Sequence, residues 1–370
     1  MAAHKTVILT ICAILGFISN ILLFTSCGLL MPRPQEPEER RYHVREVVFS
    51  GGTEGVALAG ELTLPQTGGP FPAVILVAGS GPHHRNEEVA GHKVFLVLSD
   101  YLTKRGYAVL RYDKRGIGHS SGDYHMTTMD DFANDAAAAM RWLKTQSSID
   151  TDRVGLLGHS SGGYVAPLAA QRAGAAFLVL LAAPARQLAE EIYYQNTVIP
   201  RAMGKSEEWT ARHIEAVREL IKIFKCAETA EQVRKQYEVL AEKYQSHFDL
   251  LGISVEESLD LLPAVWWMWA VHYDPIPALK AYPGPALAMF GGKDLQVSAS
   301  ANASVMKKVL SHEASKTIIF PGLNHLLQPA RTGSVEEYAW IEITFDQSAM
   351  ETIANWLDSL FQIKNAPFSK

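Results

Sequence analysis

The chain has 370 residues, of which 48% are apolar and 20% charged, and its net charge is −5. This length suffices for one large domain with an insertion or for two domains, and the composition is ordinary for a globular protein. The mild negative charge, without a basic stripe, excludes the electrostatic footprint of a nucleic-acid-binding protein.

The N-terminal segment has the layout of an export signal. An almost unbroken apolar run over residues 7–24 follows Lys5, and small residues come after it. This pattern predicts a signal peptide over residues 1–26 and a protein exported to the bacterial cell envelope. Cys27 follows directly and resembles the lipidated cysteine of a bacterial lipobox. The alternative is an uncleaved single-span anchor, because the run approaches the ~18–20 residues that span a bilayer.

The next stretch predicts a tether and then the start of the folded part. Residues 27–41 are rich in proline and charge, which is typical of an extended tether between membrane and domain. The folded part begins at residue 42. Residues 44–49 and 56–64 are strand-like and are separated by a glycine-rich turn, so they predict a β-hairpin.

Strands and helices then alternate. The apolar run 71–77 predicts a strand that is buried on both faces, and it ends in a glycine-rich turn at 78–82. A helix is predicted over 93–105, a buried strand over 107–112, and a helix over 128–145 with a threonine N-cap.

The pentapeptide Gly-His-Ser-Ser-Gly occurs twice, at 118–122 and 158–162. Only the second copy lies between a short apolar run, residues 153–157, and an alanine-rich helical run. Strand, Gly-x-Ser-x-Gly and helix is the context of a nucleophile elbow, in which a sharp turn exposes the serine hydroxyl. We therefore predict that Ser160 is a nucleophile and that Ser120 is a loop residue.

A charged, helical stretch without strand-like runs follows the predicted strand 176–183. It covers residues 187–262, and we interpret residues 187–275 as a helical cap inserted over the active site. Breaks are expected at Pro200, Gly204 and Gly252. The end of the cap is aromatic. Its tryptophans either form a wall of the substrate pocket or pack the cap on the body, and they are Trp266, Trp267 and Trp269.

Alternation resumes with strands at 286–290 and 317–320 and helices at 299–310 and 348–361. Repeated strand–helix units with buried strands predict an α/β fold. We expect a mostly parallel sheet with an antiparallel start, helices on both faces and the inserted cap. Its core would comprise residues 42–186 and 276–370.

A catalytic serine needs a base and an orienting acid, which follow an elbow serine in the order acid, then histidine. Asp294 comes just after the strand 286–290, and His325 comes just after the strand 317–320. The carboxyl ends of parallel strands meet at one edge of a sheet. We therefore predict a triad of Ser160, His325 and Asp294. Asp346 follows His325 and is in the wrong order.

The remaining candidate groups carry less weight. His159 lies inside the elbow, and its side chain is expected to point away from Ser160 and to pack. His83 and His84 follow the glycine-rich turn, where they either contact substrate or are solvated. The sequence has no His-x-x-x-His pair or cysteine cluster and no dinucleotide-binding glycine pattern, so neither a metal nor a cofactor is expected.

With these residues placed, the chain resembles the bacterial α/β-hydrolase carboxylesterases with a helical cap, over about residues 46–360. Four segments carry the resemblance: 78–82, 112–120, the elbow, and 293–297 with 322–325. In such enzymes the turn after the first buried strand supplies one oxyanion-hole donor, and the residue after the nucleophile supplies another. The resemblance thus implies the N–H groups of Ser161 and Ser80, with Gly81 as the alternative to Ser80.

The predicted function is a serine carboxylesterase that cleaves small-molecule esters, which the resemblance implies to have short acyl chains. His325 would take the proton of Ser160, Asp294 would orient His325, and water would cleave the acyl-enzyme. Two alternatives remain open. One is a serine peptidase or amidase of the prolyl-oligopeptidase type, and the other is a non-catalytic binding protein of the envelope. The oligomeric state is not predicted.

Overall fold

A computed structural model of the chain describes residues 31–244 and 264–362. Ten strands lie in these residues: β1 (His43–Ser50), β2 (Ala57–Leu64), β3 (Phe71–Val77), β4 (Glu88–Val89), β5 (His92–Lys93), β6 (Ala108–Tyr112), β7 (Ile149–His159), β8 (Leu178–Leu181), β9 (Ala286–Gly291) and β10 (Lys316–Phe320).

Helices connect and cover the strands. They are α1 (Val94–Lys104), α2 (Met129–Lys144), α3 (Gly162–Ala173), α4 (Leu188–Ala202), α5 (Glu207–Cys226), α6 (Ala230–Lys243), α7 (Ala264–Ala270), α8 (Ile276–Ala281), α9 (Ala299–Val309) and α10 (Gln347–Phe361), with a 3-10 helix at Val335–Trp340.

Eight of the described strands form one sheet in the order β1-β2-β6-β3-β7-β8-β9-β10. The β1–β2 and β2–β6 pairs are antiparallel, and the pairs from β6 to β10 are parallel. This topology confirms the predicted fold class, including its antiparallel start. It also brings the carboxyl ends of β3, β7, β9 and β10 to one edge of the sheet.

Strand β3 shows how the two faces of the sheet are covered. Its alternate residues Ala73, Ile75 and Val77 belong to one apolar core, together with residues of α2 and α3. Val74 and Leu76 belong to the other core, with residues of α1 and α10. Because side chains alternate along a strand, a continuous apolar run fits a strand that is covered on both faces.

Several element boundaries differ from the predicted ones. The elbow strand was expected over 153–157 but spans Ile149–His159, and the strand expected over 176–183 spans only Leu178–Leu181. Pro200, expected to interrupt the helix, lies inside α4, which ends two residues later. A proline near a helix end removes only one backbone hydrogen bond there. Gly204 follows the helix with a positive φ of 76°.

The predicted cap contributes helices α4 to α7, and α5 packs against both α4 and α6. Helix α5 buries Val217, Leu220, Ile221 and Phe224, the i, i+3, i+4, i+7 pattern of an amphipathic helix. Residues 245–263 of the predicted cap, including the break at Gly252, lie outside the described residues.

Two side chains in the described part of the predicted tether, residues 31–41, contact the body of the protein. The guanidinium of Arg33 donates to the carbonyls of Ala339 and Ile341, both at 3.0 Å. Gln35 donates to Phe345 O at 2.8 Å. These contacts join residues about 300 positions apart, so no local pattern could indicate them.

The predicted signal segment and Cys27 lie outside the described residues. Across residues 31–244 and 264–362, no helix combines the length and the apolar character needed to cross a membrane.

Candidate active site

The elbow places Ser160 in a strained turn between β7 and α3. Its φ is 52°, in the left-handed region that non-glycine residues seldom adopt. Two glycines make the turn possible by their lack of a side chain. A Cβ on Gly158 would lie 2.3 Å from Gly162 O, and one on Gly162 would lie 2.2 Å from Val77 O. Within the described residues the buried Ser160 Oγ has no hydrogen-bond partner.

Asp294 and His325 form a hydrogen-bonded pair at the same edge of the sheet. His325 Nδ1 lies 2.7 Å from Asp294 Oδ2. The other carboxylate oxygen, Oδ1, accepts the N–H groups of Gln296 at 2.7 Å and Val297 at 2.9 Å. With Nδ1–H donating to the carboxylate, Nε2 of the neutral ring is left with a lone pair. That atom suits the role of a base.

The loops that carry the pair pack closely on each other. A Cβ on Gly291, at the end of β9, would lie 2.2 Å from Asn324 O in the loop after β10. Asn324 Oδ1 in turn accepts the N–H groups of Leu326 and Gln328, both at 3.0 Å. These contacts fix the backbone on both sides of His325.

The turn after β3 lies directly beside the elbow. A Cβ on Gly79 would lie 3.0 Å from the Cβ of Ser160, so glycine permits this approach. Within the described residues, neither Ser80 N nor Ser161 N donates a hydrogen bond to a protein acceptor. Both N–H groups that were predicted as oxyanion donors are therefore available to a ligand.

A buried ion pair connects the turn, the elbow and the His325 loop. Glu87 Oε1 accepts the N–H of Gly79 at 2.5 Å and faces His159 Nδ1 at 3.0 Å. His159 Nε2 lies 3.1 Å from the backbone carbonyl of His325. Both ring nitrogens thus face acceptors, so His159 donates from both and carries a positive charge.

The charges of this pair support each other. Burial is the largest single influence on the pKa of His159 and lowers it, but Glu87, the His325 carbonyl and Asp294 together leave this pKa raised. Burial is the largest single influence on the pKa of Glu87 and raises it, but His159, His83 and the N–H of Gly79 together leave this pKa lowered. Sequence reasoning expected His159 to pack and did not single out Glu87. The two residues are 72 positions apart, so no local motif indicates the contact.

Two further side chains hold the turn through its carbonyl groups. The ammonium of Lys114 donates to the carbonyls of Gly79 and Gly81, the latter at 3.0 Å. His83 Nε2 donates to Ser80 O at 2.6 Å. Burial lowers the pKa of Lys114 to about 8 and that of His83 to about 4, so His83 is neutral at pH 7. His83, a predicted substrate contact, is thus bonded to the turn itself.

A pocket opens beside Ser161. It is small and partly open to solvent, and it is lined by Val77, Ala78, Tyr112, Lys114, Phe132, Ser161, Val165 and Trp266. Trp267 stacks on Phe224 with ring centroids 5.8 Å apart, and Trp269 stacks on Tyr273 at 4.9 Å. Of the three tryptophans, Trp266 thus lines the pocket, while the other two stack on neighbouring aromatic rings.

The cap also contacts the loop of the acid. The hydroxyl of Tyr194, on α4, donates to Asp294 O at 3.0 Å.

The first copy of the pentapeptide has a different role. Ser120 Oγ donates to Asp113 O at 2.7 Å and accepts the N–H of Ala59 at 2.9 Å. Both contacts are to backbone groups, so this hydroxyl joins a loop to strand β2.

Comparison with known proteins places the chain in a family. Residues 54–250, more than half of the chain, match the family described as X-Pro dipeptidyl-peptidase (S15 family). The chain belongs to the S15 family. This S15-family protein is 28% identical to Esterase EstD of Thermotoga maritima over 327 residues, which are 88% of this chain and 70% of the relative. It is 30% identical to dipeptidyl peptidase 8 of Mus musculus over 179 residues, 45% of this chain and 19% of that protein.

Solved structures share the fold. A thermophilic esterase from Thermogutta terrifontis aligns with a TM-score of 0.51 and 19% identity, covering 85% of this chain and 99% of its own. A Pyrococcus furiosus esterase aligns with a TM-score of 0.52 and 15% identity, covering 89% and 98%. The S15-family protein therefore has the α/β-hydrolase fold. The resemblance to α/β-hydrolase esterases is confirmed at that level, whereas the S15 family was not predicted.

Proposed function

We propose that this S15-family hydrolase is a carboxylesterase that uses Ser160 as nucleophile, His325 as base and Asp294 as orienting acid. The observation that carries the proposal is the 2.7 Å contact from His325 Nδ1 to Asp294 Oδ2. It lies at the sheet edge where the strained elbow holds a buried serine hydroxyl that has no hydrogen-bond partner in the part of the chain that the structure describes. The similarity to Esterase EstD along most of this chain supports the ester as substrate.

The reaction follows from these groups. His325 Nε2 takes the proton of Ser160 Oγ as this oxygen attacks the ester carbonyl. The N–H groups of Ser161 and Ser80 hold the oxyanion, and one such donor is typically worth ~10²–10³ in rate. His325 then gives the proton to the leaving alcohol, and water hydrolyses the acyl-enzyme by the same steps.

The pocket favours a small acyl group. Its apolar lining includes Val77, Phe132, Val165 and Trp266, and Ser161, the residue after the nucleophile, also lines it. Apolar walls close to the reacting carbon suit a short hydrocarbon chain. We therefore propose small-molecule esters with short acyl chains as the substrate class.

Cleavage of peptides is the second candidate function. It is favoured by the description of the matching family, X-Pro dipeptidyl-peptidase, and by the similarity to dipeptidyl peptidase 8. The same triad chemistry cleaves amides and esters, so the esterase and peptidase functions must be distinguished by comparing rates on different substrates. A panel of p-nitrophenyl esters of increasing chain length, set against X-Pro p-nitroanilides, makes this comparison. Faster turnover of the anilides would replace the esterase proposal by the peptidase.

Labelling with a fluorophosphonate tests whether the protein is catalytic at all. We expect the probe to label the wild type and the Ser120→Ala variant but not Ser160→Ala. The two serines stand in identical pentapeptides, so the pair is a matched control. A wild type that is not labelled would instead support a non-catalytic binding protein. Labelling that persists in Ser160→Ala would place the nucleophile elsewhere.

We further propose that the N-terminal segment exports the protein and that Cys27 is lipidated, which would attach it to a membrane of the bacterial envelope. The apolar run over residues 7–24 and the cysteine after it support this. Metabolic labelling with a fatty acid should mark the wild type and not Cys27→Ala. A label that persists contradicts lipidation at Cys27. An unlabelled wild type that still sediments with membranes indicates the single-span anchor.

A further inference from the structure

The turn Gly79–Gly81 is held by side chains at each of its three carbonyl groups. Lys114 donates to Gly79 O and to Gly81 O, and His83 donates to Ser80 O. The N–H of Gly79 donates to Glu87. The N–H groups of Ser80 and Gly81 have no acceptor among the described residues.

Peptide geometry converts these contacts into an orientation of the donor. The peptide bond between Gly79 and Ser80 is trans. In a trans peptide the C=O of one residue and the N–H of the next point in opposite directions within one plane. The ammonium that holds Gly79 O therefore also fixes the direction of Ser80 N–H. Glu87, bound to the N–H of Gly79, holds the preceding peptide.

We propose that Lys114 is a positioning residue that aims the N–H of Ser80 at the oxyanion by holding the carbonyl of Gly79. The proposal rests on the proposed function, in which Ser80 supplies an oxyanion donor. Lys114 acts here through the turn, and its contacts with two carbonyls distinguish it from a lysine that only neutralises a buried acid.

The charges around Lys114 agree with this role. The ammonium lies 5.0 Å from the ring centroid of Phe132, and the charged group that faces it among the described residues is Glu87, which also pairs with His159. With His159 protonated, Glu87, His159 and Lys114 together carry one net positive charge, since His83 is uncharged. An oxyanion in the adjacent pocket would balance that charge, whereas imidazolium His325 is balanced by Asp294.

The test compares Lys114→Met, Lys114→Arg and a matched control, Lys144→Met. Lys144 also holds two carbonyls, those of Ala173 at 3.1 Å and Gly174 at 2.7 Å, but it does so at the C-terminal end of α3. We expect Lys114→Met to lower kcat by about 10- to 100-fold with KM within about threefold, because a misaimed donor loses part of its ~10²–10³ effect. Lys144→Met should keep the kcat of the wild type.

The pH profile separates positioning from a merely structural role. Since the pKa of Lys114 is lowered to about 8, its charge is lost above that pH, and kcat of the wild type should decline there. Arginine stays charged at these pH values, so Lys114→Arg should lose that alkaline decline. This readout also applies if Lys114→Met does not fold.

The outcomes are distinct. An unchanged kcat in folded Lys114→Met, or the same alkaline decline in folded Lys114→Arg, overturns the proposal while ester hydrolysis by the wild type stands. A raised KM with kcat intact also overturns it, because Lys114 would then bind substrate rather than orient the turn. Wild-type protein without ester hydrolysis overturns both this proposal and the proposed function.

Discussion

Replacing Asp294 by asparagine tests how His325 is held as a base. The Asp294 carboxylate accepts three hydrogen bonds, two at Oδ1 from the N–H groups of Gln296 and Val297, and one at Oδ2 from His325 Nδ1. Asparagine keeps one oxygen and gains an NH₂ group in place of the other. The two backbone N–H groups need that oxygen. The NH₂ group is then directed at His325 Nδ1.

This orientation forces the wrong tautomer on His325. Its Nδ1 must now accept, so the proton moves to Nε2, the atom that should take the proton of Ser160. A flipped amide would restore the tautomer. The buried N–H groups of Gln296 and Val297 would then face the NH₂ group and lose their acceptor, which costs about 1–3 kcal/mol for each. A total of roughly 2–6 kcal/mol corresponds to about 30- to 10⁴-fold in population. We therefore expect Asp294→Asn to lower kcat by a factor within that range, toward the ~10⁴-fold loss typical of triads.

Steady-state kinetics on p-nitrophenyl butyrate measures the effect, with KM expected within about threefold of the wild type because the pocket is unchanged. Asp346→Asn is the matched control. Asp346 caps α10 by accepting the N–H of Ala349 at 3.1 Å, and asparagine caps equally well. Asp346→Asn should therefore keep both stability and kcat. If Asp294→Asn loses less than about tenfold in kcat, the tautomer argument is wrong, since the lower bound above is about 30-fold.

Three further predictions concern stability and selectivity. Glu87→Gln removes the negative charge that stabilises protonated, buried His159 and should lower the free energy of unfolding by about 3–5 kcal/mol in urea titrations. The difference in unfolding free energy between this variant and the wild type should be largest between pH 4.5 and 6.5. Because the pKa of Glu87 is lowered in the folded protein, the stabilisation is lost as the pH falls below this window. Because the pKa of His159 is raised, the stabilisation is also lost as the pH rises above the window. His92 is buried and its pKa is lowered to about 4, so the unfolded chain binds its proton first on acidification. Stability should fall by about 3 kcal/mol between pH 6.5 and 4 through this group, and His92→Gln should lack that share. Trp266→Ala should raise the ratio of kcat/KM for octanoate over butyrate esters about tenfold by enlarging the pocket, whereas Trp269→Ala should leave it unchanged; equal ratios would remove Trp266 from the pocket wall.

The fold was predictable where side-chain periodicity carries the signal. The run 71–77 is apolar at every position, and β3 is indeed buried on both faces. Boundaries were less accurate where a strand extends beyond its apolar part. Strand β7 begins at Ile149 and continues through polar, partly exposed residues, because its pairing starts before the apolar run does. The docking of Arg33 was not predictable either, since it depends on carbonyls about 300 residues away.

The candidate site divides in the same way. Ser160, Asp294 and His325 each follow a strand in a recognisable turn, so their placement at one edge of the sheet could be inferred. The contacts that hold the site depend on distant residues. Lys114 holds Gly79 from 35 positions away, and this contact has no local signature. Only the assembled fold shows that a buried lysine and a buried ion pair surround the turn.

The two copies of the pentapeptide have the same sequence but different conformations, so tertiary contacts determine the conformation. Their histidines can be compared in a last matched test. In the second copy the histidine, His159, is buried and bonded at both ring nitrogens. In the first copy the side chain of His119 is 86% exposed. His119→Ala should therefore change the free energy of unfolding by no more than about 0.5 kcal/mol and should leave kcat unchanged. His159→Ala removes the ion-pair partner that lies 3.0 Å from the buried Glu87 carboxylate, so its free energy of unfolding should fall by about 3–5 kcal/mol. Its kcat should fall as well, because the link from the elbow to the His325 carbonyl is lost. Equal behaviour of the two variants in urea unfolding and in kinetics would contradict a role for the Glu87–His159 pair in holding the site together.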